Sequence, residues 1–282
     1  MTRIAVASGK GGTGKTTVAA SLAVVLSRRF RVHLLDCDVE APNAALLLHP
    51  RMQQAEPVAR PVPVVADPEC DRCGRCSDAC RFHAIAVTPH RVLVFPELCH
   101  GCGGCVRACP SGALRESQRT VGEIAEGWAG PVLLTQGSLN PGETATVHMI
   151  RAVRRRETNA EVVVLDAPPG SSCPAVAAMR GADQVVLVAE PTPFGLNDLL
   201  LAVETARLAG ARIGVVINRD GAGDNRVERY CAEVRLPVIG RIADNRKVAE
   251  AYSRGELPGR GVPEFARAIE AIASRLTAEV PA

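Results

Sequence analysis

Apolar positions gather in short runs along this chain of 282 residues. Residues 2–7 read as a short buried strand, 15–29 as a helix and 31–36 as a second strand. That order predicts a parallel sheet, because a crossover helix is the usual return between parallel strands. Further strand-like runs are Val132–Thr135, Val162–Leu165, Val185–Ala189, Ile213–Ile217 and Val238–Ile239. Helical periodicity follows several of them, near 141–156, 196–209, 226–234, 244–253 and 263–277. In the last helix Phe265, Ile269, Ile272 and Leu276 share one face. That stripe suits a helix packed on a core; a membrane-binding face would want more bulk and more basic flanks.

The αβ rhythm breaks in the middle. Prolines 57, 61, 63 and 68 mark 56–69 as a linker, and Cys70 to Cys109 is dense in cysteine and glycine. The expected organisation is one α/β domain, 1–57 and 116–282, interrupted by a small cysteine-rich one over 58–115.

Composition adds limits. The chain is 47% hydrophobic and 22% charged, ordinary for a globular protein, and with 3% aromatics its core must be built from Val, Leu, Ile and Ala. A net charge of +3 argues for neither nucleic acid nor an anionic membrane as partner. Met1 and Thr2 lead directly into the first strand, with no basic region and apolar core of a signal, and no run is long enough for a bilayer. The expected location is therefore the cytoplasm, where eleven cysteines point to metal or redox chemistry rather than disulfides.

Gly9-Lys10-Gly11-Gly12-Thr13-Gly14-Lys15-Thr16 fits the phosphate-loop pattern G-x-x-x-x-G-K-[ST] and lies between a predicted strand and a predicted helix. Glycines let backbone N–H groups close around phosphate oxygens, and the helix N-terminus adds positive potential. Lys15 is expected to reach the β- and γ-phosphates and Thr16 to ligate Mg²⁺, with Thr17 completing the ATP-binding segment. The chain has 33 basic residues but only three lysines, Lys10, Lys15 and Lys247, and two of them lie in this loop. A compact ammonium fits among phosphates where a planar guanidinium does not.

Cys70-x₂-Cys73-x₂-Cys76-x₃-Cys80 is followed by Cys99-x₂-Cys102-x₂-Cys105-x₃-Cys109-Pro110. This is the bacterial two-cluster ferredoxin spacing, in which the fourth cysteine of each run serves the other cluster. The expected ligand sets for two [4Fe–4S] clusters are Cys70, Cys73, Cys76 and Cys109, and Cys99, Cys102, Cys105 and Cys80. Zinc would favour two well-separated pairs. Arg81 stands where the first run would normally carry proline. Cys37 and Cys231 read as packing residues, and His83 and His100 as solvent-facing.

The first lysine of the loop carries a resemblance. Lys10 to Thr16 is similar to the deviant phosphate loop of the MinD/ParA/Mrp superfamily, to which the nitrogenase iron protein is related. The resemblance covers the chain outside the cysteine-rich stretch and implies a P-loop NTPase fold with a mostly parallel sheet. The inserted module resembles a small α+β bacterial ferredoxin. By the same resemblance Lys10 would reach the ATP of a second copy in a nucleotide-dependent homodimer. Leu35-Asp36-Cys37-Asp38 would be the first switch, Asp38 or its neighbour Asp36 orienting the attacking water, though either could be a turn residue. Val162–Asp166 would be the Walker B strand, Asp166 holding Mg²⁺ through water. Ala167-Pro168-Pro169-Gly170 would be the second switch and Asn218 would read the base. Cys173 is placed like a cluster ligand at the dimer interface of the nitrogenase iron protein, but 132–161 lacks the second cysteine such a site needs, so an inert residue is favoured.

The function expected is ATP hydrolysis coupled to electron transfer through two clusters to an unnamed redox partner. Two alternatives are an iron–sulfur cluster carrier of the Mrp type and a positioning ATPase of the MinD/ParA type.

Overall fold

The computed structural model describes residues 1–278. The chain divides into two compact units, one formed by 1–55, 124–138 and 150–282, the other by 56–123 and 139–149.

In the first unit the strands β1 (Thr2–Ala7), β2 (Val32–Asp36), β9 (Val162–Asp166), β10 (Gln184–Ala189), β11 (Arg212–Asp220) and β12 (Val238–Ala243) make parallel neighbours in the order β12-β11-β10-β1-β9-β2. The sheet continues through β8 (Val132–Leu139), parallel to β2, then the 124–129 end of β7 (Leu114–Ala129) and the two-residue β3 (Arg51–Met52), antiparallel to β7. Every residue of β2 and β9 is buried, which is why they read as unbroken apolar runs rather than alternating ones. Helix α1 (Lys15–Leu26) is buried on almost every side. The stripe Phe265, Ile269, Ile272 and Leu276 of α10 (Pro263–Thr277) joins α1 and one face of the sheet in a single core. The α/β reading and the mostly parallel sheet are thus found. Among the described residues no helix is long and apolar enough to cross a membrane.

The second unit holds the 114–123 part of β7 and β4 (Glu56–Val65), which pairs with β7, an antiparallel hairpin of β5 (Ile85–Val87) and β6 (Val92–Val94), and two short helices, α3 (Arg75–Asp78) and α4 (Gly104–Ala108). Each short helix starts after a left-handed glycine, Gly74 or Gly103, directly behind the second cysteine of its run. Expecting a linker over 56–69 was wrong for its first ten residues, which form β4. Pro57, Pro61 and Pro63 share one parity, so their missing N–H groups fall along one edge, where proline is tolerated in a strand. A buried ion pair, Arg60 Nη2 to Glu143 Oε2 at 3.3 Å, ties β4 to 139–149 inside this unit, and Arg60 also donates to the Pro96 carbonyl.

Candidate functional site

Strand registry assembles the first site. Val6 lies level with Asp166, and Asp166 with Asp36, so the buried apolar strands β1, β9 and β2 bring two acids to one edge. This is the carboxyl end of the sheet, where open α/β folds bind ligands. Lys15, the first residue of α1, points into that row. Its Nζ lies 2.9 Å from Asp166 Oδ1, 3.5 Å from Asp38 Oδ2 and 3.4 Å from Thr16 Oγ1. Burial opposes the Lys15 charge, but Asp166 and then Asp38 outweigh it, and its pKa is raised.

The two candidate acids of the first switch part company here. Asp36 is fully buried and accepts three backbone N–H groups, from Asp38 at 3.1 Å, Asn43 at 3.1 Å and Ala44 at 3.0 Å. It therefore holds the start of the short helix α2 (Ala44–Leu48). Burial, with Asp166 beside it, pushes Asp36 up to about 8. Asp38 makes its side-chain contact with Lys15; burial raises its pKa while Lys15 resists.

Two buried oxygens here have no partner among the described residues, Asp166 Oδ2 and Thr13 Oγ1. An orphaned carboxylate oxygen beside Thr16 is what a hydrated Mg²⁺ would satisfy, so the residues fit that ion. Gly11 and Gly12 are open to solvent, whereas Thr17 is buried in α1. Gly9 and Gly14 are needed for closeness: a Cβ at Gly9 would meet the Asp198 carbonyl oxygen at 2.0 Å, and one at Gly14, where φ is +87°, would meet Asn218 Nδ2 at 2.5 Å. Asn218 donates from Nδ2 to the Thr13 carbonyl at 2.7 Å. Gly170 has a φ of 96°, and its N–H donates to the Ser8 carbonyl at 2.9 Å.

Lys10 stands apart from the Lys15 cluster. Its Nζ pairs with Glu190 Oε2 at 2.9 Å, with Asp198 Oδ2 at 3.8 Å. Glu190 also takes Arg219 Nη1 at 2.7 Å. Sequence reasoning missed Glu190 and Arg219, although Glu190 carried a usable signal: like Asp36 and Asp166, it is an acid at the end of a buried apolar strand.

In the second unit the cysteines line two cavities. One is lined by Cys80, Cys99, Cys102 and Cys105, and the other by Cys70, Cys73, Cys76 and Cys109. Each thus draws three thiols from one run and the fourth from the other. Backbone N–H groups of Ala84 and Gly101 donate to the sulfurs of Cys80 and Cys99, each at 3.3 Å. Among the described residues no three Cys, His, Asp or Glu side chains converge on a point that a single ion would fill. Thiols spread around a cavity fit a polynuclear iron–sulfur cluster instead. Cys37 and Cys231 are buried, and burial raises both thiols, Cys231 to about 11. Cys173 is exposed at the first residue of α6 (Cys173–Met179).

Residues 4–141 match the CobQ/CobB/MinD/ParA nucleotide binding domain. Over 222 residues the chain is 35% identical to an uncharacterised protein of Methanocaldococcus jannaschii, covering 78% of each. Over 60 residues it is 43% identical to the polyferredoxin protein MvhB of Methanothermobacter marburgensis, 21% of this chain and 14% of the polyferredoxin. Among solved structures, the septum site-determining protein MinD of Pyrococcus horikoshii, complexed with Mg-ADP, gives a TM-score of 0.62 over 98% of this chain and 95% of that one. At 20% identity that likeness is one of fold.

Proposed function

The chain belongs to the CobQ/CobB/MinD/ParA nucleotide-binding family, and from that premise we propose that it is an ATP-hydrolysing iron–sulfur protein in which nucleotide-dependent pairing of two copies is coupled to electron transfer through two [4Fe–4S] clusters. The observation that carries the iron–sulfur half is the crossed thiol lining of the two cavities, three cysteines from one run and one from the other in each.

At the nucleotide end each residue has a task. Lys15 is already charged and aimed along the strand ends, held by Asp166 and Asp38 until phosphate oxygens replace them. Thr16 and the orphaned Oδ2 of Asp166 would hold Mg²⁺, which supplies charge neutralisation between the phosphates. Asp38 orients the attacking water, because Asp36 is occupied with the backbone that starts α2. Gly170 turns its N–H from Ser8 toward the terminal phosphate. Asn218, anchored on Thr13, reads the base. Lys10 crosses to the nucleotide of the second copy.

In the inserted ferredoxin-like module, Cys70, Cys73, Cys76 and Cys109 hold one cluster, and Cys80, Cys99, Cys102 and Cys105 the other; the chemistry supplied is one-electron transfer. The coupling rests on connectivity. Asp36 fixes the N-terminus of α2, and only seven residues separate Leu48 at its end from Glu56, where the second unit starts. Movement of the first switch therefore has a short covalent path to the module. The experiment is to measure ATP hydrolysis and cluster potential on the same anaerobic preparation. Coupling predicts that ATP shifts the potential or the rate of electron transfer, and that oxidised and reduced protein hydrolyse ATP at different rates. Equal values throughout would sink it, and quantitative delivery of clusters to an apo-acceptor would point to a carrier instead.

A further inference from the structure

Lys10 is held by a carboxylate that it does not own alone. Glu190 follows β10 directly, and its side chain is only 9% exposed. Its two oxygens are divided between two cations: Oε2 takes Lys10 at 2.9 Å and Oε1 takes Arg219 at 2.7 Å. Arg219 sits beside Asn218 with a φ of 55°, at a register irregularity of β11 against β12. Its Nη2 also reaches toward the Gly12 carbonyl, at 3.5 Å. One buried acid therefore joins a cation of the phosphate loop to a cation of the segment that carries Asn218.

We propose that Glu190 is a positioning residue that parks Lys10 in the single chain, and that Arg219 is what lets Lys10 leave. The proposal rests on reading Lys10 as the group that crosses to a second copy's nucleotide. A buried carboxylate stripped of its only cation is strongly unfavourable. Were Lys10 the sole partner, its departure would strand that charge. Arg219 stays on Oε1, so Glu190 remains neutralised while Lys10 exchanges one anion for the phosphates of the other copy. The two cations compete for one acid, and their removal has opposite consequences. Without the Glu190 charge Lys10 keeps the longer contact to Asp198, at 3.8 Å; without Arg219 it becomes the only counter-ion of Glu190 and is held harder.

The test uses the full-length, cluster-loaded protein under anaerobic conditions with Mg²⁺ and a non-hydrolysable ATP analogue. Sedimentation velocity gives the monomer–dimer constant, and titration gives nucleotide affinity of the monomer. E190Q is expected to tighten the dimer by about threefold and R219Q to loosen it by about as much, the scale of a partly exposed ion pair. R219K keeps a cation beside Glu190 and is expected to restore the parent value. Should E190Q fail to fold, the Arg219 pair carries the test, since that side chain is 55% exposed. If K10A dimerises with nucleotide like the parent, both the crossing and the parking of Lys10 are overturned. If K10A abolishes dimers but E190Q and R219Q move the constant in one direction or not at all, the parking alone is overturned. The same holds if both variants only weaken nucleotide binding to the monomer.

Discussion

Two aspartates two positions apart, Asp36 and Asp38, face different duties, and their substitution should separate them. Asp36→Ala would leave three backbone N–H groups without their acceptor, at Asp38, Asn43 and Ala44. Each such loss costs about 1–3 kcal/mol, so a fall in unfolding free energy of more than about 2 kcal/mol is expected by denaturant titration. Asp38→Ala should leave stability nearly unchanged and lower single-turnover hydrolysis by about 10²–10⁴ while ATP still binds. A variant of Asp38 that hydrolyses ATP normally would return the water-orienting role to an unassigned group. A third residue gives the chain a pH dependence. His33 is fully buried, its Nε2 lies 2.8 Å from Thr135 Oγ1, and its Nδ1 accepts from Thr158 N at 3.3 Å. Because the Thr135 hydroxyl donates to Glu126, His33 is the donor from Nε2 and needs no second proton. Burial lowers its pKa to about 4, from the ordinary 6.5. A depressed folded pKa means that the contribution is whole above the unfolded value and is lost as pH falls from 6.5 through 4. The size is on the order of 3 kcal/mol, and His33→Gln should flatten the decline in melting temperature over that window.

Among the elements, β4 shows how local signals mislead and how they can be reread. Proline frequency over 56–69 argued for a linker, yet the parity of Pro57, Pro61 and Pro63 was that of a strand edge. The rereading makes a directional prediction. Pro57→Val, at an exposed position, should change stability by less than about 0.5 kcal/mol. Val64→Pro places the ring on the opposite parity, where the N–H belongs to the ladder, and should cost about 3 kcal/mol in thermal or chemical unfolding although Val64 is also exposed. Equal effects would mean that neither edge of β4 is committed. The strand β7 gave no early signal because its first half, Arg115 to Thr120, is polar and lies mostly exposed, so no apolar alternation marks it. The phosphate loop, by contrast, was legible residue by residue, since its chemistry is carried by backbone geometry that only glycine permits at Gly9 and Gly14.

At the scale of the whole chain, the crossed thiol lining makes the proposed cluster count divisible. Cys80→Ser and Cys109→Ser each remove a ligand from a different cavity, so each should lower iron from about eight to about four per chain and spare the other cluster's spectrum. Cys173→Ser should change neither, because that thiol lines neither cavity. Loss of all iron from Cys80→Ser would show that the two sites fold as one. The sequence by itself determined the α/β alternation, the phosphate loop, and the grouping of eight cysteines, because strand burial, glycine geometry and ligand spacing are local properties written in short stretches. The scarcity of lysine even singled out Lys10 and Lys15. Only the tertiary structure set Asp36 against three backbone N–H groups and Asp38 against Lys15, since the two lie two positions apart and differ in what lies across from them. It alone placed Lys10 on Glu190, whose partners come from positions 10 and 219. Such choices depend on which charges meet after the chain has folded, and no spacing along the chain encodes that.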